Sequence, residues 1–166
     1  MREPSADDLL GAFLDMFQLS TREQLTGLGL FLLGHAWIDR WLIHLLATDE
    51  CIQDIRAGQV AKADLDRVLP TLISKHAKGT FSQHLIAAER RGLLDSTGVE
   101  ICREVNRGRD HFLHWEPGRF SVPLYQGKDV TTEEGHKECL RDMARVIRAI
   151  QAHEWGRERG GRKENG

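Results

Sequence analysis

The chain is poor in cysteine, and the three it has, Cys51, Cys102 and Cys139, stand far apart with no Cys-x-x-Cys pair among them. An odd, scattered set argues against a disulfide framework and a zinc ribbon, and it fits a reducing cytosol. An excess of one charge is also missing, since 23 Lys and Arg against 25 Asp and Glu leave a formal net charge of −2. No global field draws the protein toward nucleic acid, so any such binding must come from a local cluster. A secretory signal is not expected, because Arg2, Glu3, Asp7 and Asp8 precede the first apolar run. The most apolar stretch, Leu25 to Ala47, is interrupted by Asp39 and Arg40. Each would cost about 2.5 to 3.5 kcal/mol inside a bilayer, so the stretch reads as a long helix buried among other helices and no membrane is expected. No internal repeat and no coiled-coil heptad run is present. The expectation is a cytoplasmic protein.

What is present is helical patterning. With 166 residues, 40% of them apolar and 29% charged, the chain suits one globular domain. Ser5 with Asp8 opens a helix from about Ala6 to Phe17, in which Leu9, Leu10, Phe13, Leu14 and Phe17 recur at helical spacing. Ser20 with Glu23 opens a second, running to about Ala47, with Gly27, Gly29 and Gly34 accepted inside it where another backbone comes close. Asp49 to Lys78 reads as a connector, with a short helix at Ile52 to Arg56, a break at Gly58 and a helical turn from Asp64 to Leu69 before Pro70. Phe81, Leu85, Ile86 and Ala88 follow in another helix, closed by Arg90, Arg91 and Gly92. Thr97 with Glu100 caps the next. Between Glu116 and Val130 the alternation of Phe120, Val122 and Leu124 predicts a small hairpin or an ordered loop. Thr131 and Glu134 cap a last helix to about Glu154, and Trp155-Gly156 ends it. The sum is an all-α bundle of about five principal helices over residues 1–155, with a disordered polar tail at 156–166.

Chemistry concentrates in one place, Arg103 to Trp115. At about 100° per residue, Ile101, Val105 and Phe112 share one sector of this helix, and Glu104, Arg107, His111 and His114 share roughly the opposite one. Pro117 disfavours helix at Glu116, which puts His114 in the last turn, where outward carbonyls favour a protonated imidazole.

At Arg109-Asp110-His111-Phe112-Leu113-His114 the sequence resembles the signature of the HEPN superfamily, an arginine, a polar residue after it, and a histidine four to six residues beyond the arginine. Thr80-Phe81-Ser82 leading to Arg91-Gly92-Leu93-Leu94-Asp95 is similar to the bacterial HEPN branch that includes relatives of the mannitol operon repressor. The likeness covers roughly Leu25 to Ile150. It implies an all-α HEPN-like bundle that pairs as a homodimer, bringing two motifs together in a cleft. Catalytic members of that superfamily are metal-independent endoribonucleases that leave a 2′,3′-cyclic phosphate. The resemblance then implies His114 as proton carrier, Arg109 as phosphate holder and Asp110 as an orienting or polarising group, with RNA as substrate and an antitoxin or regulatory protein as partner. Asp110 stands where the family commonly has asparagine, and it adds a negative charge beside the phosphate site. The alternative within the same class is a non-catalytic regulator.

The residue types suit that chemistry on their own terms. Histidine, with an unperturbed pKa of about 6.5, is the side chain best suited to remove a 2′-hydroxyl proton near neutral pH. A guanidinium meets charge building on phosphate oxygens with paired donors. Arg109, however, lies about 140° round the helix from His114, whereas Arg107 lies almost in line with it, which makes Arg107 the reserve candidate. No cofactor or metal is expected. His111, His114 and Asp110 lack a further strong ligand, and Glu133-x-x-His136 is half of a di-iron motif without its second copy, read as a helix-start acid and a surface histidine. His35 with Asp39, and Arg40 with His44, are four-apart pairs read as satisfied polar spots, and Trp37 and Trp41 are read as core or interface residues.

Overall fold

A computed structural model describes the protein at residues 7, 10–12, 14, 19, 21–113 and 122–160, with side chains at all of these except 113 and 153–160. Helix formation in the longest element begins at Thr21. Its hydroxyl accepts from the Gln24 N–H at 3.2 Å, while the Gln24 side-chain oxygen accepts from the Thr21 N–H at 3.2 Å. This reciprocal box lies one residue beyond the predicted Ser20–Glu23 pair. It opens α1, Arg22–Arg56, which absorbs the short helix expected at Ile52 to Arg56. The chain between Ala47 and Arg56 holds neither Gly nor Pro, and its apolar positions Ala47, Cys51 and Ile55 keep the helical spacing, so nothing stops propagation. Gly58 does stop it. With φ of +71° it allows Gly58 N–H to reach Ile55 C=O and Gln59 N–H to reach Asp54 C=O, a Schellman end.

A single 3-10 turn, Lys62–Asp64, leads into α2, Leu65–His76. This helix passes through Pro70, where the sequence predicts its end. Pro in a helix interior costs roughly 3 kcal/mol. Here Val68, Leu69, Leu72 and Ile73 pack as one stripe against Ala47, Cys51 and Ile55, and burying even two such side chains offsets that cost at about 1.5–3 kcal/mol each. The Pro70 ring itself faces solvent.

Helix α3, Phe81–Arg90, is opened by a Thr80–Gln83 capping box and closed by Gly92 at φ +65°, again with Schellman bonds, from Gly92 to Glu89 and from Leu93 to Ala88. Helix α4, Ser96–Leu113, is capped two residues earlier than predicted, because Asp95 Oδ1 accepts from Gly98 N–H at 2.7 Å and takes the role expected of Thr97. A two-stranded antiparallel hairpin follows, β1 Leu124–Tyr125 and β2 Lys128–Asp129. Its turn residues Gln126 and Gly127 have φ of 50° and 78°, the geometry of a two-residue turn with left-handed positions. The hairpin is one of the two forms the sequence allows there. Leu124 is exposed, whereas Pro123 and Tyr125 are buried. Helix α5, Glu133–Gly160, is capped by Thr132, whose hydroxyl accepts from Gly135 N–H, and not by Thr131, whose hydroxyl donates to Asp129 Oδ1. It runs past Trp155 and Gly156, where the sequence predicts its end, and residues 161–166 of the expected tail lie outside the described residues. Helical backbone is also present at Asp7, Leu10 to Ala12 and Leu14, within the first predicted helix. The fold class is all-α, as the patterning predicts.

The chain divides into two compact units, residues 1–35 with 104–142, and residues 36–103 with 143–166. In the first, Leu19, Leu28 and Phe112 form a buried cluster flanked by Leu14, Leu25, Leu32 and Val122. Its hairpin segment is approached by glycines from three helices. A Cβ on Gly108 would meet the Leu124 carbonyl oxygen at 2.6 Å, one on Gly27 the Val130 carbonyl oxygen at 2.7 Å, and one on Gly135 the Asp129 carbonyl oxygen at 2.0 Å. Close backbone approach is thus the reason for Gly27, as the sequence suggests, while Gly29 faces open space. Tyr125 donates to Asp142 Oδ2 at 2.7 Å, and burial together with that carboxylate pushes its phenol far up. In the second unit, the α1–α2 stripe is joined in the interior by Ile38, Leu42, Phe81, Leu85, Val99, Cys102, Met143 and Ile150. The α1 helix has the length and apolar composition to cross a membrane, yet Phe31, Ile38, Leu42, Leu45 and Leu46 within it are almost wholly buried inside the protein, as in a core helix.

Candidate functional site

The predicted two faces of α4 are present. Ile101, Val105 and Phe112 are buried, Arg107 and His111 are exposed, and Glu104 is intermediate. Arg109 and Asp110 sit at the boundary, with side chains 38% and 40% exposed. Arg109 Nη1 donates to Asp110 Oδ1 at 2.6 Å. Asp110 Oδ2 accepts from Asn106 Nδ2 at 3.0 Å, and Asn106 Oδ1 faces His35 Nε2 at 3.2 Å. The four side chains form one line that runs from a buried imidazole on α1 to a half-exposed guanidinium on α4.

Hydrogen-bond chemistry sets the direction of that line. A carboxylate only accepts, so the Asn106 amide must turn its nitrogen toward Asp110 and its oxygen toward His35. The oxygen then requires a proton on His35 Nε2, which settles the tautomer of a neutral ring as the Nε2–H form. Arg109 meets Asp110, its one side-chain partner among the described residues, through one of its N–H groups.

Of the residues the sequence selects, Arg109 and Asp110 are therefore brought together, and His114 lies outside the described residues. Arg107 is ion-paired with Glu104 on the exposed face, its side chain 72% exposed, and it takes no part in the line to His35. Two residues were not legible as members of the site. His35 reads as a partner for Asp39 by spacing, but it turns to Asn106, and Asp39 turns to His84. Asn106 and Asp110 are four apart on α4 and therefore neighbours, which was the available signal.

A second polar cluster lies in the other unit. His84 is 3% exposed, and its ring is bracketed by Asp39 Oδ1 at 2.7 Å from Nδ1 and by the His76 carbonyl oxygen at 2.8 Å from Nε2. His76 Nε2 meets Glu50 Oε2 at 2.9 Å, and Lys75 binds the other Glu50 oxygen. Burial alone would raise the Glu50 carboxyl, but the hydrogen bonds from Lys75 and His76 outweigh it and hold it below its ordinary range. Beside it, Asp49 Oδ2 accepts from Gln53 and Arg91. Both ring nitrogens of His84 are occupied.

Other candidates fall away on geometry. Cys102 and Cys139 are buried, and burial pushes both thiols up to about 12, so neither is a nucleophile near neutral pH. Burial, then the charge of Arg40, holds His44 below its ordinary range, and Trp41 stacks obliquely on it with ring centroids 6.2 Å apart. Trp37 is 49% exposed, which removes the core half of its reading. Glu133 pairs with Lys137 and not with His136, whose Nδ1 is buried against Gly27 without a hydrogen-bond partner among the described residues. The surface reading of His136 is corrected accordingly, because the absent Cβ of Gly27 admits the ring.

Compared with known proteins, the chain matches no family model, no curated protein and no solved structure.

Proposed function

We propose that the protein is a metal-independent endoribonuclease of HEPN type, acting as a cytoplasmic homodimer and serving as a toxin or defence component. Arg109 grips the scissile phosphate, His114 carries the proton to or from the 2′-hydroxyl, and Asp110 orients Arg109. The supporting observation is the half-exposed Arg109 guanidinium held on Asp110 at 2.6 Å, at the start of the Arg-x4-His sequence on α4. A donor with an open edge and a fixed inner edge suits a phosphoryl oxygen. A non-catalytic HEPN-like regulator, gripping nucleic acid or a partner protein, is the second reading. The same ion pair favours it, because Asp110 neutralises part of the charge that a phosphate would meet.

Cleavage of single-stranded RNA in the presence of EDTA decides between them. The ribonuclease reading expects cleavage by the wild type, loss of at least about a hundredfold in His114→Ala, and products ending in a 2′,3′-cyclic phosphate. Equal rates for wild type and His114→Ala would leave the regulator.

A further inference from the structure

The line of polar groups that ends at Arg109 starts at a buried residue of another helix. His35 belongs to α1 and is only 8% exposed, while Asn106, Asp110 and Arg109 all belong to α4. Within α4 the Asn106–Asp110 bond is a neighbour contact of four-residue spacing, available to any such pair. The carboxylate by itself sets which end of the amide faces it. An Asn side chain turned over would present its oxygen to the Asp110 carboxylate, and two acceptors would face each other. His35 Nε2, 3.2 Å from Asn106 Oδ1, meets the oxygen that this orientation turns inward and holds that end of the amide in place. With Asp110 Oδ2 held by Asn106, Oδ1 is directed at Arg109 Nη1. A long, flexible arginine with its inner edge fixed in this way is pre-ordered for an anion at its outer edge.

We propose that His35 and Asn106 are positioning residues that, through Asp110, set the Arg109 guanidinium for a phosphodiester oxygen. The proposal rests on the reading of Arg109 as a phosphate-binding group and adds the device that holds it. It assigns to Asp110 a role directed at Arg109, and it explains why a carboxylate serves there: an Asp accepts from Asn106 and Arg109 at once, one oxygen to each, which the single acceptor oxygen of an asparagine does less well.

The test measures binding of a fluorescein-labelled single-stranded RNA to the full chain by anisotropy, for wild type, Arg109→Ala, Asn106→Ala, His35→Ala and His35→Gln. The side-chain Nε–H resonance of Arg109, identified by its loss in Arg109→Ala, is recorded in parallel. The expected result is that Asn106→Ala and His35→Ala weaken RNA binding about tenfold, as misplacement of a binding group does. His35→Gln, whose amide can donate to the same Asn106 oxygen, should stay within about threefold of wild type. The Arg109 resonance should shift in the two alanine variants and return in His35→Gln. If Arg109→Ala loses RNA while Asn106→Ala and His35→Ala bind like wild type, the positioning role is overturned and the phosphate reading stands. If Arg109→Ala binds RNA like wild type, the phosphate reading fails, and with it the purpose assigned here to the relay. A resonance unmoved by Asn106→Ala overturns the relay whatever the RNA result. Should His35→Ala fail to fold, Asn106→Ala, at a half-buried position, and His35→Gln carry the same comparison.

Discussion

Two histidines on buried ground, His35 and His84, meet their surroundings in opposite ways. The ring of His84 is enclosed, with a carboxylate on one nitrogen and a carbonyl on the other, and the cluster beyond it closes through His76, Glu50 and Lys75. The ring of His35 is the inner, buried member of a line that reaches a half-exposed guanidinium. A network in which buried polar groups satisfy one another rigidifies a core. One whose last member keeps donors at the surface holds that member ready for a ligand. On the proposed reading, the same residue types serve stability in one unit and presentation in the other.

Deleting a ring should separate the two most sharply. His84→Ala leaves Asp39 and the His76 carbonyl without their shared partner and opens a cavity, an expected loss of roughly 3 kcal/mol in urea unfolding. His35→Ala, at the inner end of a line whose outer members still reach water, should lose only about 1 kcal/mol. Equal losses would erase the distinction. A smaller effect comes from Gly79, where an added Cβ would meet His84 Nε2 at 2.7 Å. Gly79→Ala therefore displaces the ring without removing any polar group, and about 1–2 kcal/mol should be lost to overpacking. The smallest effect is on the acid limb. Lys75 and His76 favour ionised Glu50 in the folded protein, so its contribution is present above its ordinary value of 4.5 and is lost as pH falls through the lower folded value. Glu50→Gln should flatten the fall of melting temperature with pH in that range, and His35→Gln should leave it unchanged.

The all-α class was legible from spacing alone, and so was the sidedness of α4, because burying Ile101, Val105 and Phe112 on one helix requires them to share a sector. Helix starts were legible only to within a residue or two. Ser20-Thr21, Asp95-Ser96-Thr97 and Thr131-Thr132 each offer adjacent cap-forming side chains, and the local sequence does not rank them. In the last case a neighbour chose, since the Asp129 carboxylate two residues away engages the Thr131 hydroxyl while the Thr132 hydroxyl accepts from Gly135 N–H. The end predicted at Pro70 failed because a local penalty was outweighed by a stripe that packs against a segment far away in sequence. The small hairpin was one of two forms the alternation allowed, and its inward residues, Pro123 and Tyr125, were not legible because the Tyr125 bond to Asp142 comes from another element.

By itself the sequence determined that this protein is built of helices, that Arg109 and Asp110 sit together near one helix end, and that no cysteine pairing holds the chain. Those properties follow from neighbours a few residues apart, where the geometry of the helix is sufficient. Which partner His35 takes, and so whether Arg109 is loose or held, was decided only by tertiary structure, because Asn106 lies far from His35 along the chain and only folding brings the imidazole within 3.2 Å of the amide.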